Sequence, residues 1–151
     1  MSTALSVLTI LIAEDNPADR ELYRRVAEKE GLRCDLRLVE DGEEVLDYLE
    51  GRGKYGSPAS CPKPHLMVLD IDMPRRDGLA VLEQVKKSSR FKAIPTVMLS
   101  GSDRPEDVNR GYQLGCSSYL IKPAELEQFR QTLRCLTSYW SQCVCLPERG
   151  E

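Results

Sequence analysis

The stretch His65–Leu69 (HLMVL), which runs straight into Asp70-Ile-Asp72-Met-Pro74, decides how this chain folds. Five apolar or aromatic residues with no polar alternation, ended by an acid, are too short for an independent helix and read as a strand covered on both faces. Ser6 to Ala13 (SVLTILIA), Pro95 to Leu99 (PTVML) and Ser118 to Ile121 (SYLI) share that character. Cys34 to Val39 (CDLRLV) alternates instead, with Leu36 and Leu38 facing one way, the pattern of an edge strand. Between these runs lie helical segments with readable ends. Asn16-Pro17 is an N-cap and first-turn pair, and Gly31 stops that helix after Glu30. Asp41-Gly42 opens a second helix, with Val45, Leu46 and Leu49 on its apolar face, and Leu79, Leu82 and Val85 stripe a third. Pro105 begins a fourth that ends at Gly115, and Leu126, Phe129, Leu133, Leu136 and Trp140 form the seam of a fifth.

A strand-helix unit repeated five times implies right-handed crossovers and an open α/β sheet. The expected fold is a flavodoxin-like, doubly wound, five-stranded parallel sheet of order 2-1-3-4-5, written (βα)5. In such sheets ligands bind beyond the carboxyl ends of the strands. Those ends carry Glu14-Asp15 after strand 1, Asp70 after strand 3, Ser100 after strand 4 and Lys122-Pro123 after strand 5. Gly51 to Pro64 is a Gly/Pro-rich loop, long for a compact α/β unit.

The composition narrows the function. A chain of 151 residues, 41% hydrophobic, suits one domain with a sizeable core. A net charge of -3 gives no support to nucleic-acid or membrane-surface binding. The amino terminus lacks a positive segment, and Glu14 and Asp15 cut its apolar run short, so neither a signal peptide nor a membrane span fits and a cytoplasmic protein is expected. The six scattered cysteines then read as reduced thiols. Cys143 and Cys145 are too closely spaced for a typical zinc pair, and the single histidine, His65, lies far from them.

Three carboxylates gathered at one sheet edge repel one another unless a cation joins them, and an all-oxygen, water-tolerant site suits Mg2+ (or Mn2+). Ser100 can donate a hydrogen bond to a phosphoryl oxygen, Lys122 adds positive charge, and Asp70 is the natural nucleophile. Singly, each residue has a plainer reading: acids after strands solvate loops, serines cap helices, and Lys-Pro pairs occur in turns. Their joint occurrence at successive strand ends is the specific signal.

The stretches ILIAEDN, LMVLDIDMPRRDG, IPTVMLSGS and GCSSYLIKP, spread from Leu8 to about Tyr139, resemble those of response-regulator receiver domains. The resemblance implies that Asp70 is the phosphoacceptor. It implies a metal held by Asp15, Asp70 and the main-chain carbonyl of Asp72, with Glu14 acting through water. It also makes Ser100 and Tyr119 the switch pair, Lys122 the phosphate-binding lysine and the Lys122-Pro123 bond cis. More narrowly, the ED-N-x-AD opening, the GxY loop and the terminal SYWSQCVCLP are similar to stand-alone response regulators paired with phytochrome-type histidine kinases.

Residues 1–139 are then the receiver and 140–151 a C-terminal extension. The stretch after Trp140 is too short for an output domain, so output is expected through a downstream protein or a phosphotransfer partner. The kinase is expected to dock near Asn16, Pro17 and Pro123. The resemblance implies a homodimer through the helix 4, strand 5, helix 5 face, with a contribution from an apolar tail of Trp140, Val144 and Leu146 that one domain need not cover; the plainer reading folds that tail back on its own domain. Such a protein catalyses only its own phosphorylation and dephosphorylation. Asp72 stands where the phytochrome-linked proteins are expected to have Asn, and should alter phosphoryl lifetime. Gly101 leaves the acceptor accessible. Two alternatives remain: a haloacid-dehalogenase-like phosphatase using Asp70 and Asp72, and a pseudo-receiver that works without phosphorylation.

Overall fold

Residues 7–148 are described by the structure, a computed structural model. Ser6, the first residue of the expected first strand, and residues 149–151 of the expected extension lie outside them. Five strands, β1 (Leu8–Ala13), β2 (Cys34–Val39), β3 (Leu66–Leu69), β4 (Thr96–Ser100) and β5 (Ser118–Ile121), form one parallel sheet in the order β2-β1-β3-β4-β5. Each is followed by a helix: α1 (Pro17–Lys29), α2 (Gly42–Glu50), α3 (Gly78–Lys87), α4 (Pro105–Leu114) and α5 (Leu126–Ser138). This is the expected doubly wound fold.

The apolar runs become the central strands because each supplies two cores at once. Successive side chains of a strand point to opposite faces. Leu8, Ile10, Ile12, Leu66, Val68, Val97 and Leu99 enter one core with α1 and α5 residues Tyr23, Val26, Phe129 and Leu133. The intervening Leu11, Ala13, Met67, Leu69 and Met98 enter the other, with Val45, Leu49, Val81, Leu82 and Val85 of α2 and α3. A strand with apolar residues on both faces shows no polar period, which is why the runs are continuous. β2, at one edge, is half-buried along most of its length.

The helix boundaries follow their capping residues. Asn16 Oδ1 accepts from the Ala18 and Asp19 amides, Asp41 from Glu44 and Asp77 from Ala80. Gly51 and Gly115 close α2 and α4 in the left-handed conformation. The seam of α5 begins one turn later than expected. Leu126 is exposed, and the seam starts at Phe129, whose ring meets Tyr23 of α1 edge-on at 5.1 Å.

α5 is continued by one π-helical turn (Tyr139–Cys143), with Ser141 Oγ donating to the Thr137 carbonyl at 2.6 Å, and the chain becomes extended at Val144. Trp140, Val144 and Leu146 pack on the core that contains α1 and α5. Trp140 is buried and Val144 and Leu146 are half-buried against their own domain, which is the plainer of the two readings of the tail. The long loop is also tied down: the Tyr48 hydroxyl donates to the Pro62 carbonyl and the Tyr55 hydroxyl to Glu44, both at 2.8 Å. All six cysteines are free thiols. Among the described residues no helix is long and apolar enough to cross a membrane.

Candidate functional site

Parallel strands with right-handed crossovers place all carboxyl ends on one edge, and the side chains just past those ends converge there. Glu14, Asp15 and Asp70 each bring a carboxylate oxygen within 4.8 Å of the others. Glu14 and Asp70 are buried, while Asp15 is exposed and gives the cluster a side open to solvent. Lys122, just past β5, reaches into the group. Its ammonium donates to Glu14 Oε1 at 2.6 Å, Asp19 Oδ2 at 3.0 Å and Asp70 Oδ2 at 3.1 Å.

The electrostatics follow from burial and pairing. Desolvation pushes Glu14 up to about 7, against the opposing pull of hydrogen bonds from Lys122 and the Asn16 amide. Burial also disfavours the charged form of Lys122. The hydrogen bonds and charges of Glu14, Asp70 and Asp19 outweigh it and hold the ammonium above the ordinary lysine value. One ammonium thus faces three carboxylates, with that of Asp15 close by, an imbalance that a divalent cation would correct. The donor set is all oxygen, acidic and partly open to water, so it fits Mg2+ or Mn2+.

The backbone around Asp70 is held closely. The Asp72 amide donates to Asp70 Oδ1 at 3.2 Å, while the Asp72 side chain is exposed. Gly78, the first residue of α3, lies so near that a Cβ there would sit 2.1 Å from the Asp70 carbonyl oxygen. In the loop between them, Arg75 adopts a left-handed backbone (φ 65°) and its guanidinium pairs with Asp41, the cap of α2. α2 and α3 are thereby both fastened to the segment that carries the nucleophile.

Ser100, at the end of β4, is fully buried, and its hydroxyl oxygen accepts from the Ser102 amide at 3.2 Å. The Tyr119 hydroxyl donates to the Ser102 carbonyl at 2.8 Å, and its half-buried ring packs on the α2/α3 core. Ser102 Oγ donates to Asp107 of α4 at 2.6 Å. A single residue therefore joins Ser100, Tyr119 and the start of α4.

All of the expected side chains, Glu14, Asp15, Asp70, Ser100, Tyr119 and Lys122, lie at this edge or in the network behind it. One expectation fails. No peptide bond among the described residues is cis, so Lys122-Pro123 is trans. Lys122 reaches the site without it, because its amide donates to the Ser100 carbonyl at 2.7 Å and its ammonium is drawn inward by three carboxylates. Two residues escape sequence reasoning. Asp19 shares Lys122, and Arg20 Nη1 donates to the main-chain carbonyls of Glu14 at 2.8 Å and Asp15 at 3.0 Å. The acid that ends the EDNPAD motif is the available signal for Asp19.

Comparison with known proteins agrees with this geometry. The family described as the response regulator receiver domain matches residues 10–134. The probable methanogenesis regulatory protein FilR2 of Methanothrix harundinacea is 38% identical over 131 residues, 87% of this chain and 82% of FilR2. The response regulator Rcp1 of Synechocystis is 32% identical over 138 residues, 91% of this chain and 92% of Rcp1. The crystal structure of an Mn2+-bound form of Rcp1 matches with a TM-score of 0.84 at 31% identity, covering 93% of this chain and 99% of that one. A phosphorylated cyanobacterial phytochrome response regulator, RcpA, matches with a TM-score of 0.85 at 32% identity and the same coverage of both chains.

Proposed function

Because the chain belongs to the response regulator receiver family, we propose that it takes a phosphoryl group on Asp70 from a histidine kinase of the phytochrome type. The observation that carries this reading is the buried Asp70 carboxylate, 3.1 Å from the Lys122 ammonium and grouped with Glu14 and Asp15. An Asp70 carboxylate oxygen attacks phosphorus, the P–N bond of the kinase phosphohistidine breaks, and the imidazole leaves with the electron pair. Glu14, Asp15, Asp70 and the Asp72 carbonyl would hold Mg2+, which when bound neutralises charge on the transferring group. Lys122 and Ser100 supply hydrogen bonds to the phosphoryl oxygens.

The signal then passes from Ser100 to Tyr119. Movement of the Ser100 hydroxyl toward the phosphoryl group withdraws the acceptor of the Ser102 amide. Ser102 also holds Tyr119 and α4, so the α4-β5-α5 face feels the change. Tyr112, Ile121 and Leu126 are exposed on those elements and suit a homodimer or a downstream protein. Val144 and Leu146 lie on the domain's own core, so the part of the extension that carries them supports such a dimer indirectly, by bracing α5. The setting proposed is cytoplasmic, with catalysis limited to the protein's own phosphorylation and dephosphorylation.

A dehalogenase-like phosphatase is disfavoured by the family match and by the acidic pair preceding Asp70 in the chain. A pseudo-receiver is disfavoured because the acidic group and its lysine are complete. The test is Mg2+-dependent transfer of labelled phosphate from a phosphorylated phytochrome-type kinase, with Asp70→Asn as control. Stoichiometric, alkali-labile label on the wild type alone is expected. Equal labelling of Asp70→Asn, or steady turnover of a phosphomonoester, would overturn the reading.

A further inference from the structure

We infer that Asp19 is a positioning residue for phosphoryl transfer, holding the Lys122 ammonium in line with Asp70; the inference rests on the function proposed above. A lysine ammonium has three N–H donors and no acceptor. Here it has three carboxylate partners, Glu14 at 2.6 Å, Asp19 at 3.0 Å and Asp70 at 3.1 Å, one for each proton. Lys122 is a point charge on a flexible four-carbon stem, so its aim must come from its partners. Two of them lie outside the reacting bond. With Glu14 and Asp19 each taking one N–H, the third has only Asp70 to face.

Asp19 suits this task because the turn that carries it is fastened down. Asn16 caps α1 and accepts from the Asp19 amide at 3.3 Å, and Pro17 presets the first helical residue. The neighbouring Arg20 spans back to the carbonyls of Glu14 and Asp15. The first turn of α1 and the end of β1 are therefore one rigid mount. Two carboxylates on that mount, Glu14 and Asp19, hold a lysine contributed by the opposite edge of the sheet.

During transfer, the Asp70 Oδ–P bond forms and the donor's P–N bond breaks, its electron pair going to nitrogen, which takes a proton from solvent. Asp70 loses its charge on esterification, and the N–H that it accepted turns to a phosphoryl oxygen. Glu14 and Asp19 keep the other two. Asp19 thus touches neither donor nor phosphoryl group and acts only through Lys122. Its charge also repels an anionic donor, so its two effects separate kinetically. Loss of aim lowers the rate at saturating donor, whereas loss of repulsion lowers the donor concentration needed for half-saturation.

The experiment uses the full chain in Mg2+ with phosphoramidate as donor, following Asp70 labelling in the wild type, Asp19→Ala, Asp19→Asn, Asp19→Glu and Asp70→Asn. For Asp19→Ala the rate at saturating donor should fall about tenfold, the loss of one charge-assisted hydrogen bond, with no rise in the half-saturating concentration. Asp19→Glu should recover most of the rate. If Asp19→Ala does not fold, the near-isosteric Asp19→Asn decides, and its saturating rate should fall in the same direction. A saturating rate within about twofold of wild type in the folded variant, or a raised half-saturating concentration at unchanged saturating rate, overturns the inference. Equal labelling of wild type and Asp70→Asn overturns the phosphoacceptor reading itself, which keeps the two failures distinct.

Discussion

Replacing Gly78 with alanine tests how tightly the fold grips its nucleophile. The added Cβ would stand 2.1 Å from the Asp70 carbonyl oxygen, 2.8 Å from its carbon and 3.1 Å from Ile71 Cα. All three are backbone atoms, so no side-chain rotation can make room. An ordinary C···O contact is about 3.3 Å, so α3 and the Asp70 segment must part by roughly 1 Å in a region packed to crystal-like density. Overpacking of that kind costs about 3 kcal/mol at the upper end of its usual range. The gain in helix propensity from Gly to Ala offsets at most ~1 kcal/mol. The net loss is about 2 kcal/mol, a fall in melting temperature of roughly 4–8 °C for a domain of this size. Urea unfolding should show a lower midpoint at unchanged slope, and phosphoramidate labelling should slow because Asp70 has moved. Gly101→Ala is the control, since nothing lies within 4 Å of a Cβ there. A Gly78→Ala protein as stable as Gly101→Ala would refute the reasoning.

Divalent metal should stabilise the chain, since it relieves a cluster in which Glu14, Asp15 and Asp70 crowd together. At a hundred times its dissociation constant Mg2+ should contribute about 2.7 kcal/mol, read as a melting shift reversed by chelation and lost in Asp15→Ala. Asp72 is exposed beside Asp70, and as a carboxylate it can orient or deprotonate the water that attacks the phosphoaspartate. Asp72→Asn should therefore lengthen phosphoryl lifetime severalfold in a label-decay assay, and equal decay would remove the claim. The Asp107 carboxyl is held below its ordinary value of 3.8 by hydrogen bonds from Ser102 and Arg104. A depressed acid stabilises above its unfolded pKa and ceases to do so as pH falls through its folded value. The Ser102 loop should thus loosen below about pH 4. Amide exchange at Ser102 and Tyr119 should accelerate there in the wild type and lose that acid dependence in Asp107→Asn.

The fold was legible wherever one residue type had one job. Leu8–Ala13 and Thr96–Ser100 must fill a core on each side, so they are buried along their whole length, largely apolar, without a polar alternation, and read as central strands. Caps such as Asn16 and Asp41 are equally local, and the helices begin where those residues stand. The acids, serine and lysine of the site were legible because strand ends share an edge in any sheet of this topology. Asp19 was not, because its partner Lys122 is 103 positions away and a polar residue in a first helical turn already has a local explanation. The tail allows two readings for a related reason. Val144 and Leu146 look surplus in sequence, and their packing on the domain's own core depends on how the chain leaves the helix at Val144. The isomer of the Lys122-Pro123 bond has no local signature in the sequence, and the cis form that the resemblance implies is absent from the structure.

The pairing of Tyr112 with Tyr119 bears on how this protein meets its neighbours. β5 is one of the two edge strands of the sheet, and the Tyr112 hydroxyl accepts from the Tyr119 amide at 3.1 Å. A backbone donor that could have recruited a foreign strand is closed by a side chain of the same molecule. What this edge offers a neighbour instead is exposed side chains such as Ile121 and Leu126. Side-by-side growth of the sheet from chain to chain is in this way hindered at the β5 edge by one phenolic oxygen.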